Sequence, residues 1–320
     1  MYRLFVAAGL VLCSLILLAC LLELVVFRFI FIPSDLPRLA ATNAGEVLRF
    51  SPSQEGTYRV KNEISARFRI NDRGWNSGHV SYKHSSDSSR SLIAIIGDSY
   101  VEALQVDHTA SVAEILEHQL TATDVYRFGL SGAPLSQYLF VYRREVEQFN
   151  PDHTIFLLVH NDFKESIVGS QTGLYTSSFA KWHLQRDGAI GQLQLPLSYD
   201  PFSIATLIRS TNLYRYFVVR MRVNVSNLKR RVLKLLSSDT PPNSKHIANV
   251  DIFGLDDSLV ENVATTFFEE LELLAEETEG QFLVLMDGAR GLDGKKCKNG
   301  GDRTIQHMNN IVSETAKKHG

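Results

Sequence analysis

The stretch Ser91-Leu-Ile-Ala-Ile-Ile-Gly97-Asp98-Ser99-Tyr100 decides how the rest of the chain is read. Ser91 to Ile96 is almost wholly apolar, the pattern of a strand covered on both faces, as in a parallel sheet. Gly97 lets the backbone turn sharply where the strand stops. Asp98 and Ser99 then sit at the carboxyl end of the strand, where open α/β sheets collect ligands and chemistry. Downstream, Thr109 is placed to cap a helix from Ala110 to about Leu120, with Val112, Ile115, Leu116 and Leu120 at helical spacing. Strand, serine turn, helix is a layout that exposes a nucleophile. A Gly-Asp-Ser tripeptide is also an ordinary turn, so its meaning depends on the rest of the chain.

Two later stretches repeat the layout. Asp124-Val-Tyr-Arg-Phe-Gly129 reads as a second strand leading into Leu130-Ser131-Gly132-Ala133-Pro134, with an amphipathic helix from Leu135 to Phe149 behind it. Glycine at 132 either serves a turn with positive φ or lets a backbone N–H approach a reacting oxygen. Asp152 to Val159 reads as a third strand, ended by His160-Asn161-Asp162-Phe163. The Asn161 amide can donate to a developing oxyanion. His160 reads either as a general base or as a loop-end histidine bonded to a neighbour.

Three such blocks in order resemble those of the SGNH (GDSL-type) hydrolases. Gly97-Asp98-Ser99 matches the first block, Gly129-Leu-Ser-Gly132 the second and Asn161 the third. Tyr100 stands where leucine or phenylalanine is more usual, and Val159 where glycine is. The resemblance implies a three-layer α/β fold like that of flavodoxin. It implies Ser99 as nucleophile and an oxyanion hole of Gly132, Asn161 and the Ser99 N–H. It also implies ester hydrolysis or acyl transfer through an acyl-serine, with no metal or organic cofactor. A small-molecule or glycan ester, including O-acetyl carbohydrate, is the implied substrate class.

The family's base is a histidine in a late Asp-x-x-His. None of the ten histidines stands in such a motif near the C-terminus; Asp302 and His307 have the wrong spacing. The expectation is a chain truncated before a fifth strand and that block, and nearly inactive as written. Removing the base alone from a serine hydrolase can cost ~10⁶ in kcat. Two other readings stay open. One is a catalytically inactive SGNH-like protein that binds acylated glycan or a partner protein. The other is a flavodoxin-like nucleotide-binding domain, for which the chain has no phosphate-cradling Gly-rich loop.

The remaining chain supplies context. The hydrophobic fraction of 44% is enough for a large core, and a net charge of -2 gives no global basic footprint for nucleic acid. Cys13 and Cys20 lie in an apolar segment and leave Cys297 alone, so no disulfide framework or Cys/His zinc spacing is present. Leu4 to Leu22 is apolar except for Ser14 and about long enough to span a membrane. Residues 1–33 therefore read as an uncleaved, single-pass anchor; Leu17-Leu18-Ala19-Cys20 also fits a loose lipobox. Arg3 before the segment and Arg28 and Arg38 after it set no clear orientation. The resemblance implies a catalytic domain outside the cytoplasm, in the periplasm or cell envelope.

Residues 34–90 read as a connector with short strands over Thr57 to Ile70 and a turn at Asn71-Asp72-Arg73-Gly74. Membrane-anchored family members carry a similar Ile-Asn-x-x-Gly-Trp/Phe step. Trp75 and Asn76 read as packing residues of an edge hairpin or as substrate-side residues. The hydrolase-like domain covers 91–320, with 165–249 as an insertion capping the active-site edge. That insertion contains a hairpin around Arg186-Asp187-Gly188 and a long helical pattern from Phe202 to Leu236. The basic face of the helical pattern reads as solvated or as a site for anionic glycan or lipid headgroups. Ser237 to Lys245 reads as a loop. An amphipathic helix follows from Asp256 to Glu279 with Gly280 as its stop. Next come a fourth strand, Gln281 to Met286, a loop from Asp287 to Gly301, and a last helix capped by Asp302 and terminated by Gly320.

Overall fold

The computed structural model describes residues 2–84, 89–171, 173–223, 256–288 and 301–319. Ser237 to Lys245, most of the loop after Asp287 and Gly320 lie outside the described residues.

The fold is α/β. Its centre is a four-stranded parallel sheet of β3 (Ser91–Gly97), β4 (Thr123–Gly129), β5 (His153–Leu158) and β8 (Gln281–Met286). The spatial order is β4-β3-β5-β8, so the chain steps to one side of β3 and then to the other. The crevice between β3 and β5 is thus a topological switch point, where open sheets bind ligands beyond the strand ends. Register aligns the ends: Gly97 pairs with Gly129 on β4 and with Leu157 on β5.

Alternate residues of β3 serve different faces. Leu92, Ala94 and Ile96 enter the larger core with Phe128, Phe156 and the helices α4 (Leu135–Val141), α8 (Asp257–Glu277) and α9 (Gly301–Lys318). Ile93 and Ile95 enter a smaller core with Val125, Val101 and Ala113. Two hairpins stand apart from this sheet, β1 (Gln54–Val60) with β2 (Ile64–Ile70) and β6 (Lys181–Leu184) with β7 (Ile190–Gln194).

Several expectations need correction. The first crossover helix, α3 (Val112–Gln119), is entered from Ser111, not Thr109. Its inner face is Ala113 and Glu114, while Val112, Ile115 and Leu120 are exposed. The rotation follows from Glu114, which accepts the Ser111 hydroxyl and the Gly78 N–H and lies 3.6 Å from the buried Arg127 guanidinium. The first part of the expected span, α4, is buried on every side, including Ser136 and Gln137; a π-helical turn (Tyr142–Val146) and a 3₁₀ turn (Glu147–Phe149) complete it, and there Tyr142, Val146 and Phe149 are buried while Arg143, Arg144, Glu147 and Gln148 are exposed, the amphipathic pattern expected.

His160, Asn161 and Asp162 begin a helix, α5 (His160–Glu165), and are not the end of a strand. α8 ends at Thr278 in extended backbone, and Gly280 is required for another reason: a Cβ there would lie 2.7 Å from the Pro151 carbonyl oxygen. α9 begins at Gly301, which puts the expected cap, Asp302, inside its first turn.

Residues 34–90 are more than a connector. Val47, Leu48, Phe50, Phe68, Ile70 and Trp75 share the larger core with the sheet. Trp75 packs edge-on against Phe128, and the Asn76 amide donates to the Glu102 carbonyl; both are buried. The hairpin β1–β2 therefore packs on the domain and does not extend the main sheet. Gly74 takes the positive φ of +87° that closes the Asn71 turn.

At the N-terminus, α1 (Tyr2–Leu21) continues as a π-helix (Leu22–Ile30). Together they form one helix long and apolar enough to cross a membrane. The long helical pattern after Phe202 is broken at Thr211 into α6 (Ile204–Ser210) and α7 (Asn212–Tyr214), with a π-helical continuation (Arg215–Arg220). Three of its arginines are engaged with the chain and not simply solvated. Arg215 donates to the Ser34 carbonyl at 2.7 Å and pairs with Asp35, Arg220 donates to the Ile32 carbonyl, and Arg222 donates to the Tyr58 hydroxyl. The stretch from Lys229 to Lys234 lies outside the described residues.

Candidate active site

Ser99 is the first residue of a single helical turn, α2 (Ser99–Glu102), laid across the ends of β3 and β4. Two glycines permit that close approach. A Cβ on Gly97 would come within 2.5 Å of the Val101 side chain, and one on Gly129 would meet the Glu102 nitrogen and lie 2.5 Å from the Val101 carbonyl carbon. Asp98 caps the turn, accepting the Tyr100 N–H at 2.9 Å. The Ser99 hydroxyl donates to the other Asp98 oxygen at 3.1 Å. Burial pushes the Asp98 carboxyl up to about 6, with the Asp287 charge adding to the rise and bonds from Ser99 opposing it. Above that pH the carboxylate orients the serine hydrogen.

Gly132 follows β4 by three residues, with φ +77°. The nearest atoms to a Cβ at this position would be at 3.9 and 4.0 Å, so the backbone angle and not crowding requires glycine. Among the described residues the Gly132 N–H has no acceptor. Its carbonyl accepts the Gln171 amide at 3.2 Å, and the Gln171 oxygen accepts the Lys181 ammonium at 2.8 Å. Lys181 is buried, and that burial lowers its pKa to about 8 while Glu165 opposes the shift.

Asn161 lies in the first turn of α5. Asp162 sets that turn by reaching back to the Val159 N–H at 2.7 Å, and its carboxylate also accepts the Tyr138 hydroxyl at 2.7 Å. Burial and the Asp98 charge push the Asp162 carboxyl well up. The Asn161 amide donates to Glu165 at 3.0 Å and approaches Asp162 only at 3.5 Å, so one of its two N–H groups is loosely engaged.

Ser99, Gly132 and Asn161 thus follow the aligned ends of three neighbouring strands, and all three are partly exposed. The arrangement offers a hydroxyl with the unaccepted Gly132 N–H on one side of it in the sheet order and the loosely engaged Asn161 amide on the other. No histidine among the described residues bonds Ser99. His160 is buried and pairs with Asn309 of α9 at 2.8 Å; His307 pairs with Asp257; His246 lies outside the described residues. Among the described residues, no group of three His, Cys, Asp or Glu side chains is set to hold a metal.

Sequence reasoning missed Gln171, Lys181, Glu102 and Tyr138. Glu102 is fully buried, and its carboxylate accepts the Ser131 hydroxyl beside Gly132. Burial pushes it up to about 7. Such partners meet across gaps of 10 to 39 residues, and no local spacing signals them. A cavity of about 730 Å³ lies elsewhere, between residues 40–52, Asp72 and Arg73, and the π-helical turn after α4 at Arg144 and Glu145. It contains none of the three candidate residues and therefore does not define this site.

No family model matches the chain, and no curated protein matches it.

Proposed function

We propose that this is a membrane-anchored serine esterase or acyltransferase of the SGNH type, with its catalytic domain outside the cytoplasm. The observation that carries the reading is the set of three register-aligned strand ends bearing Ser99, Gly132 and Asn161. The strand order supports it: counted within the sheet it runs 2-1-3-4, the flavodoxin-like order, with Ser99 at the switch point. Ser99 would attack an acyl carbon, and the N–H groups of Ser99, Gly132 and Asn161 would receive the developing oxyanion. A bond from the Ser99 hydroxyl to Asp98 alone makes a weak nucleophile, since no imidazole among the described residues takes its proton. The chain of 320 residues is then a slow catalyst. An oxyanion hole and substrate binding without the full triad still leave ~10³–10⁴ over water. O-acyl carbohydrate remains the proposed substrate class.

Hydrolysis of p-nitrophenyl acetate by the full chain tests this reading. Turnover is expected to vanish into the solvent rate in Ser99→Ala, and to fall by ~10²–10³ in Asn161→Ala, the usual loss of one oxyanion donor. Turnover unaffected by either substitution would defeat it. The second reading, a base-less binding protein, is favoured by one observation, the absence of a described histidine at Ser99. It predicts no Ser99-dependent turnover, and binding of O-acetylated glycan that survives Ser99→Ala.

A further inference from the structure

The segment Asn212 to Arg220 packs against the chain where α1 ends. The Glu23 carboxylate accepts the N–H groups of Asn212 and Leu213 at 2.5 and 3.0 Å, and the Glu23 carbonyl accepts the Asn212 amide at 3.1 Å. Phe27 lies 5.2 Å from the Tyr216 ring and 5.3 Å from Phe217. These contacts fix the height of the segment. α1 has 20 residues, about 30 Å at 1.5 Å per residue, which is the thickness of a bilayer's hydrocarbon. Glu23 follows two residues after α1 ends, so in a spanning chain the start of α7 is held at the edge of the hydrocarbon.

α6 stands immediately before that point, and its apolar side chains are largely left open by the described residues. Ile204, Leu207 and Ile208 recur at helical spacing and are 77%, 51% and 56% exposed; Phe202, just ahead of them, is 77% exposed. A soluble domain rarely leaves four large apolar side chains together in water. The anchor at the level of Glu23 is itself exposed and apolar, at Leu21, Leu24 and Val25. The neighbouring arginines 215 and 220 are spent on backbone carbonyls of the chain leaving the anchor, so charge is not what recommends this surface to a partner.

We propose that α6 is a second membrane contact: Phe202, Ile204, Leu207 and Ile208 enter the hydrocarbon edge of the lipid bilayer that α1 spans. This rests on α1 being a spanning helix. The domain is then held at two points and cannot swing on a single tether, which keeps one orientation toward the membrane surface.

The full chain in phosphatidylcholine vesicles with brominated acyl chains gives the test. Trp75 and Trp182 are both 1% exposed inside the domain and supply a constant background. A tryptophan is added at an exposed site, Phe202→Trp, and in the middle of α1, Leu12→Trp, in separate variants. Both new tryptophans are expected to emit blue-shifted and to lose roughly half their intensity to bromine, with no change in high salt, as for insertion driven by apolar burial. Quenching of Leu12→Trp with water-like, unquenched emission from Phe202→Trp would overturn the second contact and leave the anchor standing. Blue-shifted but unquenched emission from Phe202→Trp would place a protein, such as a second copy, on this face and overturn it too. An unquenched Leu12→Trp would remove the spanning helix and the proposal together.

Discussion

Glu102 ties the turn that carries Ser99 to the loop that carries Gly132, because its buried carboxylate accepts the Ser131 hydroxyl. Burial raises its folded pKa to about 7, above the ordinary 4.5. A carboxyl raised in this way binds its proton more tightly in the folded chain than in the unfolded one. Its contribution is therefore complete below pH 4.5 and is lost as the pH climbs towards 7. Thermal midpoints measured from pH 4.5 to 8 are expected to fall across that window, by the equivalent of about 3 kcal/mol at most. Glu102→Gln keeps an acceptor for Ser131 and carries no charge, so it should flatten the slope over the same window. An unchanged slope in that variant would assign the pH dependence to other carboxyls. Asp98, raised to about 6, acts with the same sign between pH 3.8 and 6. At this scale the sequence discloses the residue types that do chemistry but not those that hold them. Ser99 and Asn161 stand out through the resemblance of their blocks to those of a known family. Lys181 and Gln171 do not, because the chain after α5 returns to bring Gln171 to Gly132 and Lys181 to Gln171.

Elements meet at the site through glycines whose roles differ. Gly129 admits the backbone of α2, and a methyl group there would strike the backbone at Val101 and Glu102. Gly132 has open space but positive φ. Gly132→Ala is thus expected to cost about 1–2 kcal/mol, the penalty of a left-handed backbone for an L-residue. Gly129→Ala is expected to cost more than that, since the elements themselves must move apart. Denaturant unfolding of the two variants checks the order, and equal losses would mean that α2 does not depend on close packing. The strands and crossover helices are readable from apolar runs and their spacing. Which face a helix buries is less so: α3 turns inward on Glu114 because Arg127, Gly78 and Ser111 await it, a set of contacts no helical wheel contains. α4 likewise has polar Ser136 and Gln137 where the pattern predicts an outer face, yet both are buried, bonded to Ala180.

For the molecule as a whole, the expected division at residue 90 gives way to one core shared between residues 47–82 and the sheet. The half-exposed Leu283 and Leu285 lie on β8, an outer strand of the sheet. The apolar run at the N-terminus is plain in the sequence, but its packing against Asn212 to Phe217 is not, since nothing local links Glu23 to a segment nearly two hundred residues away. The central claim is that Ser99 is a nucleophile lacking only a proton acceptor. Free imidazole supplied to the full chain with p-nitrophenyl acetate tests it most directly. Turnover corrected for the solvent reaction should rise with imidazole base, disappear in Ser99→Ala and be strongly reduced in Asn161→Ala. An imidazole-dependent rate that is the same in the chain and in Ser99→Ala would contradict the account.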